Sequence, residues 1–403
     1  MTVGIIGAGA SGMAAALAAA EQPGCRVVLL ERQARVGRKL SATGNGRCNL
    51  TNLHAGALGY HGEQPEFAGP ALEAFAPEET IRWFRGLGLF VTAEPSGRIY
   101  PFSDQANSVV DVLRFALEKQ NICLKTGFLV EKVRKTSQGF LLEGNGEQIA
   151  CDKLIVACGG LAGTSLGGSM SGYRLLTRLG HHTTRLRPAL VQVKTDWPGV
   201  ESLKGVRAEC AAQVFHNDKL HLKSAGQIQF TQYGLSGPVI FEVSRDVCLG
   251  GGEWRCQLDL LPEVSAEELG EELRRRRERA LPVEELLTGI LHNRLGRVLT
   301  RFSGIRGKQS AAALSDGELE TLCGVVKAFI LPLTEPMGMD CAQVTAGGVR
   351  TEDFDPQTME SKLTPGLYAC GEVLDIDGDC GGYNLQWAWS SGRMAGLHAG
   401  GAL

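Results

Sequence analysis

The chain opens on a run of apolar, mostly β-branched residues (TVGII, 2–6), followed by GAGASG and then by MAAALAAAEQ, a stretch of strong helix formers. That order predicts strand, glycine turn and helix. RVVLLE (26–31) is a second nearly unbroken apolar run, as expected for a strand covered on both faces of a parallel sheet. A charged amphipathic segment (105–120), the run FLVEKV (128–133) and the strand KLIVACGG (153–160) extend the same domain to about residue 188. The texture then changes. Short alternating runs such as VQVKTDW, AECAAQVFHN and GQIQFTQYG predict a β-rich, barrel-like insertion over 189–261 and 331–341. Residues 262–330, rich in Leu, Glu and Arg at helical spacing, predict a small helical subdomain in which PEVSAEELGEELRRRR carries an N-cap signal. From about 342 the glycine turns return, with one strand (PGLYACGE) and a last helix from about 385 to 399. The fold class expected is α/β: a doubly wound Rossmann-type domain from residues 1–188 and 342–403, interrupted by the β-rich and helical segments.

Composition narrows the chemistry. A chain of 403 residues is too long for one core, and its 43% hydrophobic and 21% charged residues are those of an ordinary globular protein. Glycine is in excess at 53, which suits many close approaches of backbone to ligand. A net charge of −3 gives no general attraction to nucleic acid or anionic membrane, so the expected partner is a small molecule; the pattern leaves the oligomeric state open. The 12 cysteines contain no CxxC pair, arguing for a reducing cytoplasm and against a disulfide framework or zinc site. The uncharged first 20 residues lack the basic leader of a signal peptide, and no other stretch is long and apolar enough for a bilayer.

Gly7, Gly9 and Gly12 hold the GxGxxG spacing between a strand and a helix. Gly7 permits the turn, Gly9 admits a pyrophosphate to the backbone, and Gly12 lets helix meet strand; Ser11 sits in the helix's first turn. Glu31 ends the next strand 19 residues after Gly12, where a carboxylate accepts both ribose hydroxyls of an adenosine. Residues 32–52, RQARVGRKLSATGNGRCNLTN, form a polar segment too long for an ordinary connection, and its donors favour FAD over NAD. Arg32, Arg38 and Lys39 are candidate phosphate and ribityl contacts; Leu40, Gly46 and Asn49 are candidates to lie along the flavin, with Val130 a further cofactor contact from the 128–133 run.

The C-terminal stretch TPGLYACGEVLDIDGDCGGYNLQWAWSSGRMAG (364–396) supplies the other half of the site. Gly371 and Glu372 end an apolar strand, where a carboxylate can hold a ribityl hydroxyl. Asn384 and Leu385 open the final helix, whose positive end stabilises negative charge on a reduced flavin.

GRKLSATGNGRCNLTN (37–52), GRIYPFS (97–103), TAGGV (345–349), MESK (359–362) and GEVLDIDGDCGGYNLQWA (371–388) together resemble a bacterial family of NAD(P)/FAD-dependent oxidoreductases, the BaiN-like or aminoacetone-oxidase-like flavoproteins. The resemblance spans nearly the whole chain. It implies an FAD domain built from both ends with an inserted middle, broadly similar to the fumarate reductase and glutathione reductase superfamily. GTSLGGSMSGY (163–173) departs from the family's TGSTGDGY-like run, which bears on the substrate side.

Beyond the cofactor the sequence is quieter. The flavin loop offers only Cys48, so a thiol relay is not expected. No second GxGxxG unit holds a nicotinamide, so NAD(P)H is expected to visit an open flavin face as a transient electron donor. No motif argues for a metal. The resemblance implies reduction of a C=C bond conjugated to a carbonyl, with Tyr383 and Tyr100 as candidate proton donors. Other readings are an FAD oxidase of a small amine or alcohol, and an FAD-containing RNA-modifying or sensor protein.

Overall fold

The computed structural model describes every residue except 57, 121, 306–309 and 403. These residues divide into two compact units, 1–188 with 339–403, and 189–338.

The first unit is organised by a five-stranded parallel sheet. Strand β1 (Thr2–Ile6) leads through helix α1 (Ala10–Ala20) to β2 (Arg26–Glu31). Next come β3 (Thr51–Asn52), β4 (Val91–Ala93), β5 (Arg98–Pro101), helix α2 (Ala106–Lys119), β6 (Ile122–Thr126) and β7 (Lys153–Val156). After the second unit come β8 (Leu367–Ala369) and helix α3 (Tyr383–Gly400). The sheet order is β6-β2-β1-β7-β8, all parallel. This is the doubly wound arrangement, and its strand order reverses between β1 and β7, where such sheets bind ligands at their carboxyl ends. β3, β5 and β4 form a separate antiparallel sheet in that order. The run 128–133 is not a strand of the parallel sheet: only from Lys132 does the chain enter a strand, which belongs to a three-stranded antiparallel sheet with Gly139–Gly144 and Glu147–Cys151.

What joins the two ends of the chain is a contact between α1 and α3. Gly392, Gly396 and Gly400 recur every four residues on α3 and face Ser11, Ala15 and Ala19 on α1. A Cβ on Gly392 would lie 2.4 Å from the Ser11 carbonyl oxygen, and one on Gly396 2.3 Å from that of Ala15. The alanine-rich face of α1 is thus a packing surface as well as a helix-forming sequence.

The second unit is a six-stranded antiparallel sheet in the order Val193–Lys194, Gly234–Ser236, Lys219–Phe230, Arg207–His216, Trp254–Asp259, Phe329–Leu333. Its first strand also meets the chain just beyond the last: Lys194 N–H donates to Glu335 O at 2.7 Å and Thr334 N–H to Lys194 O at 3.0 Å. These bonds draw the sheet into a near-barrel. Helices Ala266–Glu278, Asn293–Phe302 and Asp316–Lys327 occupy the stretch expected as a helical subdomain. They share one hydrophobic core with the sheet, since Leu269, Leu273, Leu299 and Leu322 cluster with Leu258 and Phe329. Ser265 and Ser315 close capping boxes with Glu268 and Glu318.

Candidate functional site

An open cleft of about 1170 Å³ lies in the first unit at the carboxyl ends of β1, β2 and β7. Gly7 has φ +103°, and a Cβ there would lie 2.4 Å from Ala157 O, so the β1 turn needs glycine on two counts. A Cβ on Gly12 would fall 1.8 Å from Gly7 O; Gly12 packs helix on turn and does not line the cleft. Gly9, by contrast, would meet no protein atom within 4 Å, so the space over it is open to a ligand. α1 has no side-chain cap and no acidic residue in its first turn, and its first intrahelical bond is Met13 N–H to Gly9 O. The preceding N–H groups and the helix dipole therefore face the cleft, where Ser11 also lies.

Glu31 is fixed by two backbone donors: Ala8 N–H to Oε2 at 2.8 Å and Gln33 N–H to Oε1 at 2.7 Å. An ionised carboxylate retains lone pairs beyond these two bonds, enough to accept two hydroxyls. Phe128 N–H donates to Glu31 O at 2.8 Å, which brings the segment 128–130 to the end of β2 and lays the buried Val130 on the cleft wall.

The loop after β2 supplies Arg32, Arg38, Lys39 and Leu40, all lining the cleft. Arg32 donates to Gly167 O, and Arg38 to Gln33 Oε1 at 2.9 Å. Lys39 and Glu372, expected as separate ribityl contacts, are ion-paired at 2.8 Å, and Glu372 Oε1 also accepts from Thr345 N–H at 2.9 Å. Gly371 is set back from the cleft: its φ is +75°, and a Cβ would strike Ser11 Oγ at 2.5 Å. Gly46 is also outside the lining.

At the flavin-side end, α3 again has neither a side-chain cap nor an acidic first turn, and Asn384 and Leu385 line the cleft. The Asn384 side chain is used structurally, accepting from Gly378 N–H at 2.8 Å and donating to Gly378 O at 2.6 Å. Asn49 is buried, its Oδ1 has no hydrogen-bond partner, and a Cβ on Gly382, the N-cap of α3, would lie 3.0 Å from that oxygen. A buried acceptor left unpaired costs about 1–3 kcal/mol. Asn49, expected along the flavin, does not line the cleft. Two uncapped helix N-termini, an open Gly9 and a braced Glu31 form a donor and acceptor set that fits FAD.

Neither candidate proton donor lines the cleft. Tyr383 donates to His54 O at 3.2 Å, and Tyr100 is buried beneath the Arg47 guanidinium, 4.0 Å from its ring centroid. Both phenols are pushed up, by burial first and then by Glu94 near Tyr100 and Asp379 near Tyr383, so both keep their protons at neutral pH. Cys48 is fully buried and its thiol is pushed up to about 12 by desolvation, which leaves it a poor nucleophile.

The cleft also uses residues that sequence reasoning set aside. Cys158, Gly159 and Gly160 follow β7, and Gly167, Gly168 and Ser171 come from the atypical run after it. The signal was present: ACGG ends the strand beside the switch point, where a ligand is expected whether or not the glycines form a second motif. Among the described residues there is no group of three or more His, Cys, Asp or Glu placed to hold a metal, and no helix long and apolar enough to cross a membrane.

Such a cleft, at the switch point of a parallel sheet closed by the last helix of the chain, is that of a Rossmann-type FAD-binding fold. Residues 1–398 match the HI0933-like protein Rossmann domain, and the chain belongs to that family of flavoprotein oxidoreductases. It is 41% identical over 403 residues, 98% of each chain, to the 3-dehydro-bile acid delta(4,6)-reductase of Clostridium scindens. It is 33% identical over 391 residues, 96% of this chain and 95% of the relative, to the ribosomal RNA dihydrouridine synthase of Escherichia coli. Among solved structures, 3-ketosteroid delta1-dehydrogenase from Sterolibacterium denitrificans in complex with 1,4-androstadiene-3,17-dione matches with a TM-score of 0.51, covering 100% of both chains at 12% identity.

Proposed function

We propose that this FAD-dependent oxidoreductase reduces a carbon–carbon double bond conjugated to a carbonyl in a small molecule, with NAD(P)H as the electron donor. The supporting observation is that two full-length relatives of different substrate carry names describing the same bond change. A 3-oxo steroid with ring double bonds and a uracil ring both present C=C next to C=O, and in each the reduction adds two hydrogens across that bond. Bound FAD supplies the hydride that adds to the β-carbon. The chain's own residues do the rest. The turn at Gly7–Gly9 and the N-terminus of α1 bind the pyrophosphate, and Glu31 holds the ribose. Lys39 and Glu372 brace the loop against the strand end. The N-terminus of α3 favours negative charge near its first turn.

A small-molecule substrate is favoured over RNA by the higher identity to the bile-acid enzyme and by the net charge of −3. The test is anaerobic stopped-flow reduction by NADH and NADPH, followed by mixing with a panel of enones, a uridine-containing RNA, or oxygen. Flavin bleaching with reoxidation by enones is the expected result. Reoxidation by the RNA alone would move the substrate to nucleic acid. Absence of bleaching by either nicotinamide would overturn the donor assignment, and rapid peroxide formation from an amine would overturn the reaction.

A further inference from the structure

Arg98 lies on β5, and its guanidinium sits against the turn that leads into α3, the helix whose first turn lines the cleft: a Cβ on Gly381 would be 2.8 Å from its Nε. It is half-buried and has no carboxylate or hydrogen-bond partner among the described residues. Its neighbour Arg47 differs. Arg47 is neutralised by Glu94 at 3.1 Å and Asp104 at 2.5 Å and stacks over Tyr100. The Tyr100 hydroxyl likewise has no hydrogen-bond partner among the described residues. Arg98 thus carries an uncompensated charge next to a phenol, one residue from the N-cap of a helix whose first turn lines the cleft. The turn itself is held in place: Asn52 Nδ2 donates to Gly381 O at 2.8 Å. Nearby, Asn49 Oδ1 is an orphaned buried acceptor facing Gly382. Unused hydrogen-bonding capacity of this kind, gathered at one turn, is what a ligand would complete.

We propose that Arg98 holds the carbonyl oxygen of the substrate and stabilises the enolate that forms there. This rests on the conjugate-reduction reading. In that step the hydride, carrying two electrons that originate from the nicotinamide, bonds to the β-carbon. The C=C π bond breaks and its pair moves through the α-carbon onto oxygen, giving an enolate. Protonation of the α-carbon by water restores the C=O. The enolate oxygen carries nearly a full negative charge where the ground-state carbonyl carries a partial one. A fixed guanidinium therefore binds the transition state better than the substrate.

The test compares Arg98→Gln and Arg98→Lys with the parent protein, each purified with FAD and checked for cofactor content. Calorimetric titration with 4-nitrophenolate, a stable anion with an enolate-like oxygen, reads the site without turnover. Arg98→Gln is expected to weaken phenolate binding at least tenfold and to slow flavin reoxidation by an enone by about 10²–10³-fold. Reduction by nicotinamide and reoxidation by ferricyanide should stay within about twofold, and Arg98→Lys should restore part of the phenolate affinity. Unchanged phenolate binding in Arg98→Gln, or a parent protein that binds no phenolate, would overturn the assignment. If the parent reduces no enone, the reaction reading falls, while the titration still decides whether Arg98 is an anion-binding group.

Discussion

The two units differ in how most of their helix starts are finished. In residues 189–338 three helix starts are closed from within, Ser265 and Ser315 completing capping boxes and His292 capping Asn293–Phe302, while Pro238–Leu249 starts without a side-chain cap. Arginines in that unit find local partners, Arg276 with Glu272 and Arg277 with Asp316. In the first unit α1 and α3 start without caps, Asn49 holds an orphaned acceptor and Arg98 stands without a counter-charge among the described residues. Unpaired buried atoms occur in both units, Trp254 Nε1 and Arg297 Nε among those of the second, so the mark of the site is that unpaired groups gather beside the uncapped start of α3. That distinction says more than pocket size, because it gives the chemistry the ligand must bring.

Glycine substitutions offer the largest test of the contrast. Gly12→Ala places a Cβ 1.8 Å from Gly7 O and should destabilise the first unit by about 3 kcal/mol, read as a lower Tm together with loss of bound flavin. Gly9→Ala meets no protein atom within 4 Å, so the apoprotein should melt as the parent does while FAD affinity falls at least tenfold. Equal losses of Tm in both would erase the difference between packing glycine and cradle glycine.

Asn49→Leu sharpens the point by sign. Removing an unpaired buried acceptor should leave the apoprotein as stable or more stable, while FAD binding weakens by about 1 kcal/mol. Parallel loss in both measurements would make Asn49 a structural residue. In the second unit, Ser265→Ala should cost about 1 kcal/mol in chemical denaturation and leave FAD affinity untouched. Last, iodoacetamide at pH 8 should label the exposed Cys123 and Cys341 and spare Cys48 and Cys158, whose thiols burial pushes up to about 12. Activity should survive that treatment. Labelling of Cys48 with loss of turnover would restore a thiol to the chemistry.

Much of the first unit was legible because its signals are local. A strand, three spaced glycines, a helix and a terminal carboxylate lie within 31 residues, and each has one mechanical job. β6 escaped notice because ICLKT at the sheet edge is only partly buried and shows no clean period. The run FLVEKV misled because its apolar residues serve a cleft wall and a small antiparallel sheet rather than the parallel one. The Lys39–Glu372 pair and the Arg98–Gly381 approach span hundreds of residues of sequence, and no spacing rule reaches that far. The helical stretch 262–330 was readable as helices, but its burial against the near-barrel depends on tertiary contacts that periodicity does not specify.

The glycine seam between α1 and α3 also has a consequence in time. The ribosome makes α1 before, and α3 after, the whole second unit. While residues 189–338 are emerging, the nascent chain carries half a cofactor site, and the face of α1 that will receive Gly392, Gly396 and Gly400 is bare. FAD capture should therefore wait until α3 has been made, and a chain cut just before α3 should be largely synthesised yet colourless.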